Sequence, residues 1–164
     1  MIKAEKKLAV VALGNKNAGK SNTWYKIFNQ ENIPTIRRLR QLHFNKKEYV
    51  HVFLLNGSME ERKREIDEEL IDCDILLCSV QYNEKGKKTI EYLHKQGYQW
   101  LNPGCEDKQQ YTDYLSIIQM INSYPNSTVK QCKAIKDDSD TKVRSDEIIQ
   151  FIYEWARKED IILS

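Results

Sequence analysis

The apolar run LAVVAL, residues 8–13, ends in GNKNAGKS and passes straight into NTWYKIFNQ, where Trp24, Ile27 and Phe28 fall on one helical face. A continuous apolar run with adjacent valines is the pattern of a strand covered on both faces, because an exposed face would call for alternating polar residues. A doubly covered strand followed at once by a helix commits the chain to a layered α/β arrangement.

The rest of the chain sustains that alternation. NQENIP interrupts the first helix, and Pro34 disfavours helical backbone at Ile33. Residues 35–55 read as two strands around the polar turn FNKKE. The second, YVHVFLL, is clear; the first, TIRRLRQLHF, also fits a short helix through Ile36, Leu39 and Leu42, and both readings stay open. Asn56-Gly57 marks a turn, and Ser58 with Glu61 forms a capping box opening a charged helix to about Leu70. DILLCSV is the next buried strand, and a helix from about Gly86 to Gln96 ends at Gly97.

YQWL is expected as a short strand closed by Asn102-Pro103-Gly104. A helix follows, carrying Tyr111, Leu115, Ile118 and Ile121. Residues 128–135 make a weak strand, and the last helix bears Ile148, Phe151, Ile152 and Trp155. The expected fold class is therefore α/β: three layers, with a mostly parallel central sheet, one antiparallel hairpin edge and helices on both faces. In such sheets ligands gather at the carboxyl ends of the strands, which is where GNKNAGKS lies.

With 164 residues, the chain is expected to form one compact domain over its whole length. Its net charge of +2 supplies no global field for nucleic acid or a membrane surface. No apolar run reaches the length of a membrane span, and the opening MIKAEKKLAVVALG leads directly into a core strand. Cys73, Cys78, Cys105 and Cys132 form no C-x-x-C pair, and His43, His51 and His94 do not closely flank any of them. That argues against structural zinc and for reduced thiols in a cytoplasmic setting.

GNKNAGKS satisfies G-x-x-x-x-G-K-[ST] through Gly14, Gly19, Lys20 and Ser21. The spacing has a chemical reason. Small residues let backbone N–H groups turn inward around phosphate oxygens, while the following helix directs its positive end at the same anion. The expected nucleotide-binding residues are Gly14, Asn15, Lys16, Asn17, Ala18, Gly19, Lys20, Ser21 and Asn22. Lys20 would reach the terminal phosphates and the Ser21 hydroxyl would ligate Mg²⁺. The bland alternative is a glycine-lysine turn that merely joins strand to helix.

The order of strand, phosphate loop, helix, switch loop, strand hairpin and then alternating helices and strands resembles the Ras-like small GTPases, within the P-loop NTPases. Pro34-Thr35-Ile36 lies where that family has its first switch, so the resemblance implies that Thr35 closes over Mg²⁺ and the terminal phosphate. It also implies GTP or ATP as the ligand, with GTP preferred on architecture, and a protein partner at the switch surface.

Other family motifs are altered. Asn56-Gly57-Ser58-Met59 stands where D-x-x-G would follow YVHVFLL, so a neutral Asn56 replaces a magnesium-shell aspartate. Glu60 falls near the place of the second-switch glutamine. The N-K-x-D position holds Asn102-Pro103-Gly104-Cys105-Glu106-Asp107, leaving Asn102 and Asp107 as base-contact candidates. Lys136, in Lys133-Ala134-Ile135-Lys136, is a third, at the place of the final base-contacting loop.

Asp72 and Asp74 sit at the start of their strand, the end away from the phosphates, and read as helix-to-strand connectors. Gln81, Asn83 and Glu84 follow the exit of that strand, either as a polar loop or in reach of a nucleotide. Arg37, Arg38, Arg40, Lys46 and Lys47 cluster without an acid between Pro34 and Lys47. They could supply an arginine to the transferring phosphate (Arg38, with Thr35 and Glu60, being the catalytic candidates), meet nucleic acid, or be the solvated side of an edge strand. The edge strand is the plain reading.

Three functions compete. One is a Ras-like nucleotide switch with weak hydrolysis. Another is a small nucleotide or metabolite kinase, for which residues 34–44 would be helix. The third is a non-catalytic GTPase-like interaction module.

Overall fold

The computed structural model describes residues 7–14, 20–28, 39–55, 73–95, 98–99, 104–107, 115–125, 129–132 and 138–164. The apolar runs form the centre of a five-stranded sheet. Strand β1 (Lys7–Gly14) is followed by α1 (Lys20–Ile27), then β2 (Arg40–His43) and β3 (Tyr49–Leu55). Next come β4 (Ile75–Gln81), α2 (Glu84–Lys95) and the short β5 (Tyr98–Gln99). The chain continues through β6 (Gly104–Asp107), α3 (Ile117–Ser123), β7 (Val129–Cys132) and α4 (Asp138–Lys158). The sheet order is β2-β3-β4-β1-β5, and among the described strands of this sheet only the β2–β3 pair is antiparallel.

Alternation along the strands sorts the core into two clusters. Leu8, Val10 and Ala12 of β1, with Val50, Val52, Leu54, Ile75 and Leu77, face α1 and α4 through Trp24, Ile27, Ile148, Ile152 and Trp155. Ala9, Val11, Leu13, Phe53, Leu55, Leu76, Cys78 and Val80 face α2 and α3 through Ile90, Leu93, Ile117 and Ile121. Both faces of the sheet are thus dry, as the unbroken apolar runs require. Each such buried aliphatic side chain contributes about 1.5–3 kcal/mol.

The open question over residues 35–44 resolves as strand for the part described. Leu42 pairs with Val50 and His43 with Tyr49, so Leu42 meets the core as an alternating strand residue rather than a helical one. Asn45 builds the turn: its Oδ1 accepts from the Lys47 N–H at 2.9 Å and the Glu48 N–H at 2.8 Å. Tyr153 of α4 donates its hydroxyl to Glu48 at 3.2 Å and packs edge-on against Phe44, tying the hairpin to the last helix.

At its far end α4 stops in a Schellman turn. Asp160 takes a left-handed φ of 56°, the Ile161 N–H donates to the Ala156 carbonyl and the Asp160 N–H to the Arg157 carbonyl, and Ile161 drops into the core.

Elsewhere the structure departs from the sequence-based expectations. The strand expected over YQWL is described only at Tyr98–Gln99, pairing with Lys7 and Leu8. Gly104, expected to close a turn, instead opens β6, which pairs in parallel with β7 and runs beside β1. Helix α2 begins at Glu84, two residues before the expected Gly86, because Asn83 caps it. The helix expected from Tyr111 is described from Ile117, after a turn at Leu115. The capping box at Ser58 and Glu61 lies outside the described residues.

Candidate functional site

The motif-bearing junction is bracketed by regular structure. Gly14 is the last residue of β1, and Lys20, Ser21 and Asn22 form the first turn of α1. Asn15, Lys16, Asn17, Ala18 and Gly19 lie outside the described residues, as do Thr35, Arg38, Glu60, Asn102 and Lys136. Asp107 ends β6, opposite Cys132 of β7. It is therefore a strand residue, about 10 Å along an extended backbone from Gly104, rather than part of a compact loop with it.

Helix α1 is held by two buried polar contacts, one to the sheet and one to α4. The Trp24 indole N–H donates to the Ser79 hydroxyl of β4 at 2.8 Å, and the Ser145 hydroxyl of α4 donates to the Thr23 carbonyl at 3.2 Å. A serine inside the apolar run ILLCSVQ must find a partner once buried, and Trp24 is that partner. This pairing had a signal in the sequence, a lone hydroxyl amid six otherwise strand-forming residues, but nothing local says which helix answers it.

The neighbour of β1 on the hairpin side is β4, with Gly14 directly opposite Gln81. Strand β3 lies beyond β4, and its last residue, Leu55, is level with Cys78 and so with Val11. Two strand spacings across and three residues along put Leu55 about 14 Å from Gly14. The exit of β4, not that of β3, flanks the junction.

That exit is tightly built. The Asn83 N–H donates to the Gln81 carbonyl at 3.0 Å, and its Nδ2 donates to Gln81 Oε1 at 3.2 Å. Asn83 Oδ1 accepts from the Gly86 N–H at 2.8 Å, an N-cap that starts α2. Gly86 presses so closely on the sheet that a Cβ built there would overlap the Gln81 carbonyl oxygen and crowd Val80. Lys87 Nζ donates to the Leu115 carbonyl at 2.9 Å, and the Leu115 N–H donates to the Tyr82 hydroxyl at 3.3 Å, which ties the start of α3 to the same corner.

Of the polar residues expected near this exit, Gln81 and Asn83 are thus brought together. Glu84 is exposed in the first turn of α2. Asp74 stands at the opposite end of β4, where its carbonyl accepts from the Leu8 N–H at 2.8 Å, as a strand-leading residue should. Among the described residues, no group of three or more His, Cys, Asp or Glu side chains forms a metal cluster, and no helix is long and apolar enough to cross a membrane. No protein-family model matches the chain, and no curated protein emerges as a relative.

Proposed function

We propose that this chain is a Mg²⁺-dependent nucleoside-triphosphate-binding protein with a P-loop fold of the Ras-like type, working as a nucleotide-controlled switch with weak hydrolysis. One observation carries the reading: G-x-x-x-x-G-K-S spans a junction whose first glycine ends a buried parallel strand and whose lysine opens a helix. That context gives the motif its physical sense, because the first turn of a helix leaves N–H groups without intrahelical partners, and these suit an anion.

Lys20 is the cation for the terminal phosphates. Ser21, with Thr35 from the segment after α1, is the hydroxyl pair for Mg²⁺, which when bound neutralises phosphate charge. The antiparallel β2–β3 hairpin supports the switch or the interaction module over the kinase, which needs helix across residues 34–44. Weak hydrolysis rests on Asn56 standing where the resemblance calls for a magnesium-shell aspartate, and on the lack of a clear second-switch glutamine. GTP is preferred on the architectural resemblance, with ATP as the competing ligand. Asn102, Asp107 and Lys136 are the residues to test for base contact. Cys73 and Cys78, buried as thiols rather than disulfides, support a cytoplasmic protein. A protein partner would read the surface around Thr35.

Titration of labelled GTP and ATP, with and without Mg²⁺, tests the proposal. The wild type is expected to bind at least one of them, and Lys20→Ala to weaken that binding by at least about tenfold. Absence of binding by the wild type at millimolar nucleotide overturns it.

A further inference from the structure

One face of the β2–β3 hairpin carries a row of rings in contact with solvent. Along β3, Val50, Val52 and Leu54 enter the cluster facing α1 and α4, while Phe53 and Leu55 enter the other. Alternation therefore puts Tyr49 and His51 on the α2–α3 side of the sheet. Their cross-strand partners His43 and Gln41 stand beside them. His43 and Gln41 are exposed, and Tyr49 and His51 are half-buried. Among the described residues, Tyr49 packs against neither core cluster. The rings touch one another instead: His43 and Tyr49 lie 5.2 Å apart between centroids, and Tyr49 and His51 5.7 Å apart, edge-on.

Charge around this row has one sign. Lys46 and Lys47 are exposed in the turn that joins the two strands. The sequence has no acid from Pro34 to Lys47. Glu48, which ends the turn, alternates to the same side as Val50, away from the rings. Its Oε1 accepts from Asn45 Nδ2 at 2.9 Å and from the Tyr153 hydroxyl of α4 at 3.2 Å. The net charge of +2 gives no global field, so any attraction for a polyanion is local to this hairpin.

We propose that the hairpin binds single-stranded RNA, with bases stacked over His43, Tyr49 and His51 and phosphates met by Lys46 and Lys47. Every base offers a π-face, so a row of rings beside cations suits an unpaired strand. In a duplex the bases cover one another and leave the rings nothing to stack on. A second copy of this chain would bring the same cations against Lys46 and Lys47, which charge repulsion disfavours. Gln41 selects the sugar. Its Oε1 lies 3.1 Å from His43 Nε2, which fixes the carboxamide plane, and its amide donors suit a 2′-hydroxyl that DNA lacks. This holds whether or not Lys20 meets a nucleotide.

The test is fluorescence anisotropy with labelled mixed-sequence single-stranded RNA, the same sequence as DNA, its RNA duplex, and polyglutamate as a plain polyanion. Circular dichroism checks that each variant folds, and sedimentation reads the oligomeric state. The wild type is expected to favour single-stranded RNA over the other three. Tyr49→Leu, which keeps an apolar strand residue, should lose about tenfold in RNA affinity, and the exposed His43→Ala should lose several-fold. Lys46→Gln with Lys47→Gln should lower the slope of log affinity against log salt by about 1.4. Gln41→Ala should lose the preference for RNA over DNA, and Lys20→Ala should leave RNA affinity unchanged. Equal affinity for DNA, duplex or polyglutamate overturns the proposal, as does a dimer that excludes RNA, an unaltered affinity in Tyr49→Leu, or no binding by the wild type. Loss of RNA binding in Lys20→Ala would move the RNA to the strand–helix junction and overturn it as well.

Discussion

On one face of the sheet, α1 and α4 are held by hydrogen bonds between residues far apart in sequence, Trp24 to Ser79 and Ser145 to the Thr23 carbonyl, all of them buried. On the other face, α2 is seated by short-range contacts at the exit of β4: Asn83 to Gln81, Asn83 to Gly86, and the bare backbone of Gly86 against the Gln81 carbonyl. The first face is registered by long-range polar bonds in a dry environment, where an unmet partner costs about 1–3 kcal/mol. The second is registered by a cap and a steric fit. Gln81 belongs to both, since alternation puts it on the α1 face while its hydrogen bond runs to the cap of α2. The strand–helix junction therefore sits where the two modes of attachment meet.

The largest expected effect attacks the steric fit. Gly86→Ala puts a methyl group onto the Gln81 carbonyl, and because backbone rather than a flexible side chain opposes it, α2 must shift. Urea unfolding should show a loss of about 3 kcal/mol. A loss under about 0.5 kcal/mol would mean that α2 is held more loosely than the short contacts imply.

A smaller effect probes the other face. Trp24→Phe keeps most of the buried ring but strands the Ser79 hydroxyl, at an expected cost of about 1–2 kcal/mol. The double variant Trp24→Phe with Ser79→Ala should recover part of that loss, because it leaves neither partner unmet. Simple additivity would show that the bond does not register α1 on β4.

The smallest effect lies at the distal end of α2, where His94 stacks on Tyr124 with ring centroids 3.7 Å apart. Burial, and then the Glu91 charge, raise the Tyr124 phenol above its usual 10.0. The folded protein thus holds this proton more tightly than the unfolded chain does. The associated stability is intact below pH 10 and declines as pH rises through the raised value. Tyr124→Phe should flatten that decline in urea unfolding measured on either side of pH 10. An unchanged slope would remove Tyr124 as its source.

Much of the fold was legible in the sequence because hydrophobic period is a local property. The unbroken runs at β1, β3 and β4 announced doubly covered strands, and Ile148, Ile152 and Trp155 announced the buried stripe of α4. Residues 35–44 were ambiguous because Ile36, Leu39 and Leu42, at a spacing of three, serve either a helix or a strand, and pairing of Arg40–His43 with β3 decided for the part described. Strand β6 was missed for another reason. Gly104, Cys105, Glu106 and Asp107 have no strand-like pattern, and only the partner strand β7 makes them one. At the junction, the phosphate-loop pattern and its strand–helix setting were legible, whereas the neighbour of Gly14 was not.

By itself, then, the sequence determined the buried strands β1, β3 and β4, the buried stripe of α4, the α/β class and the position of G-x-x-x-x-G-K-S between a strand and a helix. Each follows from residues within a few positions of one another. Tertiary structure alone decided that β4 lies between β1 and β3, that Trp24 meets Ser79 and that Gln81 stands beside Gly14. Those facts depend on which strands pair and on how a helix slides along them. Both are settled by burying whole faces at once, an energy that no local window of residues contains.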